Sequence, residues 1–204
     1  MKIQTPTLDR ERLSSVIKNY SQPRVSRSVR QILNSVVPFL ALWVAMYFSL
    51  RVSYWLTLGL AVIAAGFMVR IFIIFHDCGH GSFFRSKKAN EIVGFFTGVL
   101  VLTPHHRWWY EHAKHHATSG DLDRRGVGDV WMMTVEEYRN ASWWTRLQYR
   151  CYRQPLFMLT VGPVLTFALL NRFPSPASRR REKLSVLWCN LALAAIWTAL
   201  AFTI

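Results

Sequence analysis

Apolar residues gather into five runs, at 32–50, 53–75, 92–103, 156–170 and 184–204, separated by polar, basic stretches. An α-helix rises about 1.5 Å per residue and the hydrocarbon core of a bilayer is about 30 Å thick, so roughly 20 apolar residues cross it. The runs at 32–50, 53–75 and 184–204 meet that length and predict three spanning helices. Only Arg51 and Val52 part the first two, which must therefore form an antiparallel hairpin. Pro38 falls near one end of the first span, where a kink is tolerated. The runs at 92–103 and 156–170 are too short to cross. Pro104 ends the former, which reads as an interfacial or re-entrant helix, and Gly162-Pro163 interrupts the latter.

Charge orients these elements. The chain carries 25 Lys and Arg against 11 Asp and Glu. If only the three long runs cross, residues 1–31, 76–155 and 171–183 share one side and hold seven, eleven and five basic residues. Positive charge collects on the cytosolic side of a membrane protein. The amino terminus and the segment 76–183 are accordingly expected in the cytosol. Basic residues that flank spanning segments are explained by orientation and by anionic lipid, and no nucleic-acid partner is expected. The expected fold is an all-α integral membrane protein. It comprises a transmembrane helical hairpin, cytosolic histidine-bearing helices, interfacial helices and a third spanning helix. Residues 1–31 form a basic tail, whose stretch from Thr7 reads either as a short surface helix or as disordered chain. The tail lacks the apolar core of a cleavable leader, so insertion is expected through the chain's own helices. Cys78, Cys151 and Cys189 have no CxxC spacing and read as free thiols.

All seven histidines lie between positions 76 and 116. His76-Asp-Cys-Gly-His80 follows the second span directly, and His112-Ala-Lys-His115-His116 comes later. Residues i and i+3 or i+4 share one face of a helix, so each group can present its imidazoles to a metal. Neutral imidazole suits iron, zinc and copper, and spacing alone does not choose among them. Five imidazoles exceed the four of a structural zinc site and point to two metals. Asp77, Glu111, Asp121 and Asp123 are candidates to accept the second ring N–H of a ligating histidine. Asp129 is a further acid near the boxes, with a solvated surface role the equal alternative. His105 and His106 fall off the box spacing and read as interfacial. Trp108, Trp109 and Tyr110 read as an aromatic belt, or as the lining of an acyl-chain entrance. Arg70, about 9 Å of helix before His76, reads as an interfacial cation or a head-group contact.

The stretch Phe75-His-Asp-Cys-Gly-His-Gly-Ser-Phe-Phe84 resembles the first histidine box of the membrane fatty acid desaturases. Glu111-His-Ala-Lys-His-His-Ala-Thr-Ser-Gly-Asp-Leu-Asp123 resembles their second box in its bacterial acyl-lipid (delta-12 or omega-6) form. Further likeness runs through Trp131, Thr134-Val-Glu-Glu-Tyr138 and Gly162-Pro-Val to Asn171-Arg-Phe-Pro174. The resemblance implies a non-haem di-iron enzyme that uses O2 and two electrons to place a cis double bond in an acyl-lipid or fatty acyl substrate. It implies ferredoxin or a small cytochrome as electron donor, and the bacterial inner membrane as location. It implies His76, His80, His112, His115 and His116 as iron ligands.

Residues 32–204 then form a partial desaturase domain, because the third histidine box of that family has no counterpart after His116. The chain by itself is expected to be inactive or weakly active, as a truncated product or one half of a split protein would be. The alternatives are a non-catalytic membrane fragment, a related di-iron lipid hydroxylase and a zinc membrane hydrolase.

Overall fold

The computed structural model describes residues 10–126 and 128–203, and among these every regular element is helical. The first nine residues, with the Thr7 start expected of a surface helix, lie outside the described residues. The chain divides after Gly94 into two compact units.

The first unit holds α1 (Arg10–Tyr20), α2 (Val25–Ser49) and α3 (Tyr54–Gly79). The helices outrun their apolar segments, because intrahelical hydrogen bonding continues after the side chains turn polar. α2 starts seven residues before Ile32, and α3 runs past Phe75 into the first histidine box. The two pack as the expected hairpin. Ser49 Oγ and Thr57 Oγ1 lie 2.7 Å apart across the turn. Phe39, Ala64, Ile71, Ile74 and Phe75 fill the seam between the helices. Arg70 faces that seam, donating through Nε to buried Ser35 Oγ at 3.3 Å and through Nη2 to Asn34 Oδ1 at 3.0 Å. Past α3, Ser28 Oγ donates to the Phe83 carbonyl at 2.6 Å, which fastens the loop after the first box to the start of α2. Asn90 reinforces that loop by bonding both backbone groups of Phe84.

α4 (Lys87–Leu100) follows, 14 residues long and about 21 Å, too short to span. The second unit continues with α5 (His105–Thr118), α6 (Val135–Asn140), α7 (Trp143–Tyr152) and α8 (Arg180–Thr203). Val99, Cys189 and Leu193 form a small core where the end of α4 meets α8, with Phe95, Leu102 and Ala192 around it. Residues 157–161 and 164–169 are π-helical about Gly162-Pro163. Proline has no N–H and its ring crowds the carbonyl four residues back, so the ladder widens to i+5 there. The axis from Phe157 to Arg172 bends 63° away from α7. Among the described residues three helices, α2, α3 and α8, are long and apolar enough to cross a membrane, or four spans if the bent pair counts as one.

Arg172 organises the approach to α5. Leu102 carries a left-handed backbone (φ 56°), a conformation unfavourable for a branched side chain. The Arg172 guanidinium donates to the Leu102 carbonyl, and to Asn190 Oδ1 at 2.9 Å, while Asn190 Nδ2 returns a bond to the Arg172 carbonyl at 2.9 Å. Replacing Arg172 by Leu strands Asn190 Oδ1, at a cost of about 1–3 kcal/mol, and leaves the Leu102 carbonyl only the longer bond from Asn171 Nδ2 at 3.4 Å. A fall of several degrees in the thermal unfolding midpoint of the detergent-solubilised chain is expected. An unchanged midpoint would show that the clamp is dispensable.

Candidate metal centre

The first box grows out of the end of α3. His76 occupies its last turn and His80 caps it, giving its N–H to the His76 carbonyl at 3.1 Å. Gly81 then takes φ +67°, the left-handed turn that stops the helix one residue past the box. His76 Nε2 and His80 Nε2 face one another at 3.2 Å. His76 Nδ1 lies 3.0 Å from Asp77 Oδ1. An ionised carboxylate only accepts, so Nδ1 carries the proton and the Nε2 lone pair is the one left for a metal.

The second box lies on α5, in the other unit. His112 Nε2 and His116 Nε2 are 3.0 Å apart. Trp108, one turn earlier, stacks on the His112 ring at 4.3 Å between centroids and 18° between planes. His115 Nδ1 lies 2.7 Å from Oδ1 of Asp129, whose side chain is only 12% exposed. The same proton assignment follows, with Nε2 of His115 as its ligating atom. Asp129 Oδ2 also accepts from the Gly126 N–H at 3.0 Å. Gly128 (φ +74°) passes so close that an added Cβ would stand 3.1 Å from His115 Cβ. An Arg125–Glu137 ion pair ties this loop to α6, and with the Thr134 N–H it holds the Glu137 carboxyl below its ordinary range.

α5 is polar and buries no residue fully, so its own packing cannot fix its position. Arg107 does so instead. Its backbone N–H donates to Ser185 Oγ at 3.2 Å, Nη1 bonds the carbonyls of Leu170 and Phe173, and Nε pairs with Glu111 at 3.1 Å.

The donor set suits a metal held by imidazole. Two nitrogens bound cis at right angles, each about 2.1 Å from one ion, stand about 3.0 Å apart. The two pairs show 3.2 and 3.0 Å. A carboxylate fixing the far ring nitrogen is the usual partner of a ligating histidine, and Asp77 and Asp129 take that place.

The remaining acids and histidines are engaged otherwise. Glu111 pairs with Arg107. Asp121 pairs with Arg124, which lowers its carboxyl pKa, and accepts the Asp123 N–H at 3.1 Å. Arg181 Nε donates to His106 Nε2 at 3.2 Å, occupying that lone pair. His105 stands between Phe95, His106 and Trp109 with Nδ1 buried. Burial, then the charges of His106 and Arg181, push its pKa down to about 3. Tyr110 lies between Lys114 and Arg179. The half-exposed rings of Trp108, Trp109 and Tyr110 each touch protein groups on one side. Trp108, Arg107 and Gly128 were not read as parts of the site. Glycines at 126 and 128 just before Asp129 are a sign in the sequence of the tight loop that carries it.

Two outcomes follow. Asp129→Asn and Gly128→Ala should each weaken affinity for a divalent transition-metal ion about 10–100-fold with every histidine in place, measured by anaerobic titration. Equal affinity in both variants would detach Asp129 from the site. His105, whose pKa in the folded chain lies below the ordinary 6.5, stabilises the fold fully above that pH, and the contribution fades as pH falls towards 3. The thermal midpoint of His105→Leu should accordingly depend less on pH between about 7 and 5 than that of the parent.

Comparison with known proteins agrees with this chemistry. The fatty acid desaturase family model matches residues 53–204. A fatty acid desaturase of Bacillus subtilis is 49% identical over 98% of this chain and 56% of its own length. From Synechocystis, an sn-1 acyl-lipid omega-3 desaturase (ferredoxin) is 33% identical over 65% of this chain and 37% of its own. An sn-1 oleoyl-lipid 12-desaturase from the same organism is 25% identical over 94% and 53%. The chain spans about half the length of the curated relatives it matches. No solved structure matches it. With three helices able to cross a bilayer and a family match over three-quarters of its length, the chain belongs to the membrane fatty acid desaturases.

Proposed function

We propose that this chain carries the first two histidine boxes of an acyl-lipid desaturase. That enzyme removes one hydrogen from each of two adjacent acyl methylenes to leave a cis double bond, reducing O2 with two electrons and two protons to two waters. The reading rests on one observation above all. Each box, within its own unit, sets two imidazole Nε2 atoms one helical turn and about 3 Å apart. His76, His80, His112, His115 and His116 would hold iron, as a di-iron centre. Bound iron supplies, with O2, the oxidant needed to break an unactivated C–H bond.

The chain's residues have the task of preparing that site. Asp77 and Asp129 keep the Nδ1 protons of His76 and His115 in place, so that Nε2 is the donor. Trp108 limits rotation of His112. Arg107 holds the helix that carries the second box. The exposed apolar flanks of α2, α3 and α8 keep these groups at a bilayer, where the acyl substrate resides. The positive-inside distribution of the basic segments supports a cytosolic amino terminus and cytosolic boxes, in a bacterial inner membrane. Relatives with ferredoxin in their names support a small redox protein as donor.

The test has two parts. Anaerobic titration of the purified chain with ferrous iron alone should show binding that is weakened by His76→Ala and by His112→Ala. Gas chromatography of lipids from a host making the whole protein should show a new cis double bond that vanishes in His112→Ala. A new hydroxyl would reassign the chemistry to hydroxylation, and failure to bind ferrous iron together with no lipid change would overturn the reading.

A further inference from the structure

The first unit contains a second polar feature, lined by residues outside the box, although Arg85 follows His80 by only five positions. A surface cavity of about 600 Å3 is lined by Ser15, Lys18, Gln22, Arg24 and Arg85. Three of the five are cations and none is a carboxylate. No carboxylate pairs with Lys18, Arg24 or Arg85 among the described residues. Three positive charges that converge from three separate segments repel one another unless an anion joins them. The lining therefore fits a phosphate group.

The surroundings say which phosphate. On α1, Leu13, Val16, Ile17 and Tyr20 recur at i, i+3, i+4 and i+7, and all four are exposed. This is the apolar stripe of a helix lying in a membrane surface. Ser15 and Lys18 lie on the adjoining polar face and open into the cavity. α2 begins immediately after Arg24, and its exposed apolar stripe starts at once with Val25, Val29 and Leu33. Arg24 thus sits with exposed Arg27 and Arg30 at the polar end of α2, about 12 Å of helix before the apolar run opens at Ile32, at the depth of head groups. A soluble anion would need the cations but would leave the stripe without a role. A phospholipid uses both, with its phosphate among Lys18, Arg24 and Arg85 and its tails along the α2 stripe.

We propose that this cavity binds the phosphate of an anionic phospholipid, and that α1 lies in the membrane surface with its 13–16–17–20 stripe among the acyl chains. The site belongs to the first unit alone and does not depend on the desaturase reading. It would seat the amino-terminal helix only in a leaflet that contains anionic lipid.

Native mass spectrometry of the full chain tests this, in mixed micelles of phosphatidylglycerol and phosphatidylcholine with matched acyl chains. The parent should retain phosphatidylglycerol over phosphatidylcholine. A surface cation contributes roughly a fivefold preference, so Lys18→Gln should lower retention about fivefold and Lys18→Gln/Arg24→Gln/Arg85→Gln about a hundredfold. Lys18→Arg should restore it. Circular dichroism reports whether the triple variant keeps its helices; should it unfold, the Lys18→Gln and Lys18→Arg pair decides, since Lys18 is exposed on α1. Three results would overturn the proposal. The first is equal retention of the two lipids by the parent, and the second is unchanged retention in Lys18→Gln. The third is full displacement of phosphatidylglycerol by millimolar inorganic phosphate, which would mark a free-anion site.

Discussion

The spacing of one helical turn is the constraint on which the metal chemistry depends. Residues four apart on an α-helix project from one face, and that register alone brings His76 to His80 and His112 to His116. It leaves each ring free to spin about its side-chain bonds, which would blunt any metal preference. The surrounding protein removes that freedom with a few inexpensive contacts: a carboxylate on the far nitrogen of His76 and of His115, and an indole plane against His112.

The second box makes heavier demands on its support than the first. α3 is long, apolar and packed against α2, so His76 inherits the rigidity of the hairpin. α5 is 14 residues long, charged and without a fully buried residue. Isolated helices of that length are marginal in water, and tertiary packing normally secures them. Here the securing contacts are polar and come from far along the chain, through Arg107 to Ser185 and to the carbonyls of Leu170 and Phe173. Arg172 then fixes the left-handed Leu102 just before α5 begins. The stretch at 170–173, a 3-10 turn after the π-helical turns that precede it, thereby acts as a bracket for the helix that bears the three histidines of the second box.

The apolar exterior follows from the same division of labour. In the most apolar stretches of α2, α3 and α8 only 17%, 22% and 17% of residues are buried in protein. Such surfaces would be untenable in water and are natural against lipid, where an intrahelical hydrogen-bond ladder is all the backbone requires. Arg70 shows the limit of that tolerance. On the exposed flank of the hairpin it is met by Asn34 and Ser35, because a cation beside an apolar span needs partners that hydrocarbon cannot offer.

Sequence by itself determined the helical class, the three spans and the five box histidines, because run length and i, i+4 spacing are local properties that survive in any tertiary setting. It also named Asp77, whose carboxylate lies 3.0 Å from the ring of His76, one residue away. The tertiary structure decided what depends on the path of the chain between elements. It gave His115 to Asp129 across 14 residues, took Glu111 for Arg107 and Asp121 for Arg124, and turned Trp108 onto a histidine. Charge and polarity announce that an acid or an aromatic ring will find a partner. Only the turn at Gly128, the bracket at Arg172 and the lie of α5 bring a particular partner within 3 Å, since hydrogen bonding falls away over distances that periodicity cannot resolve.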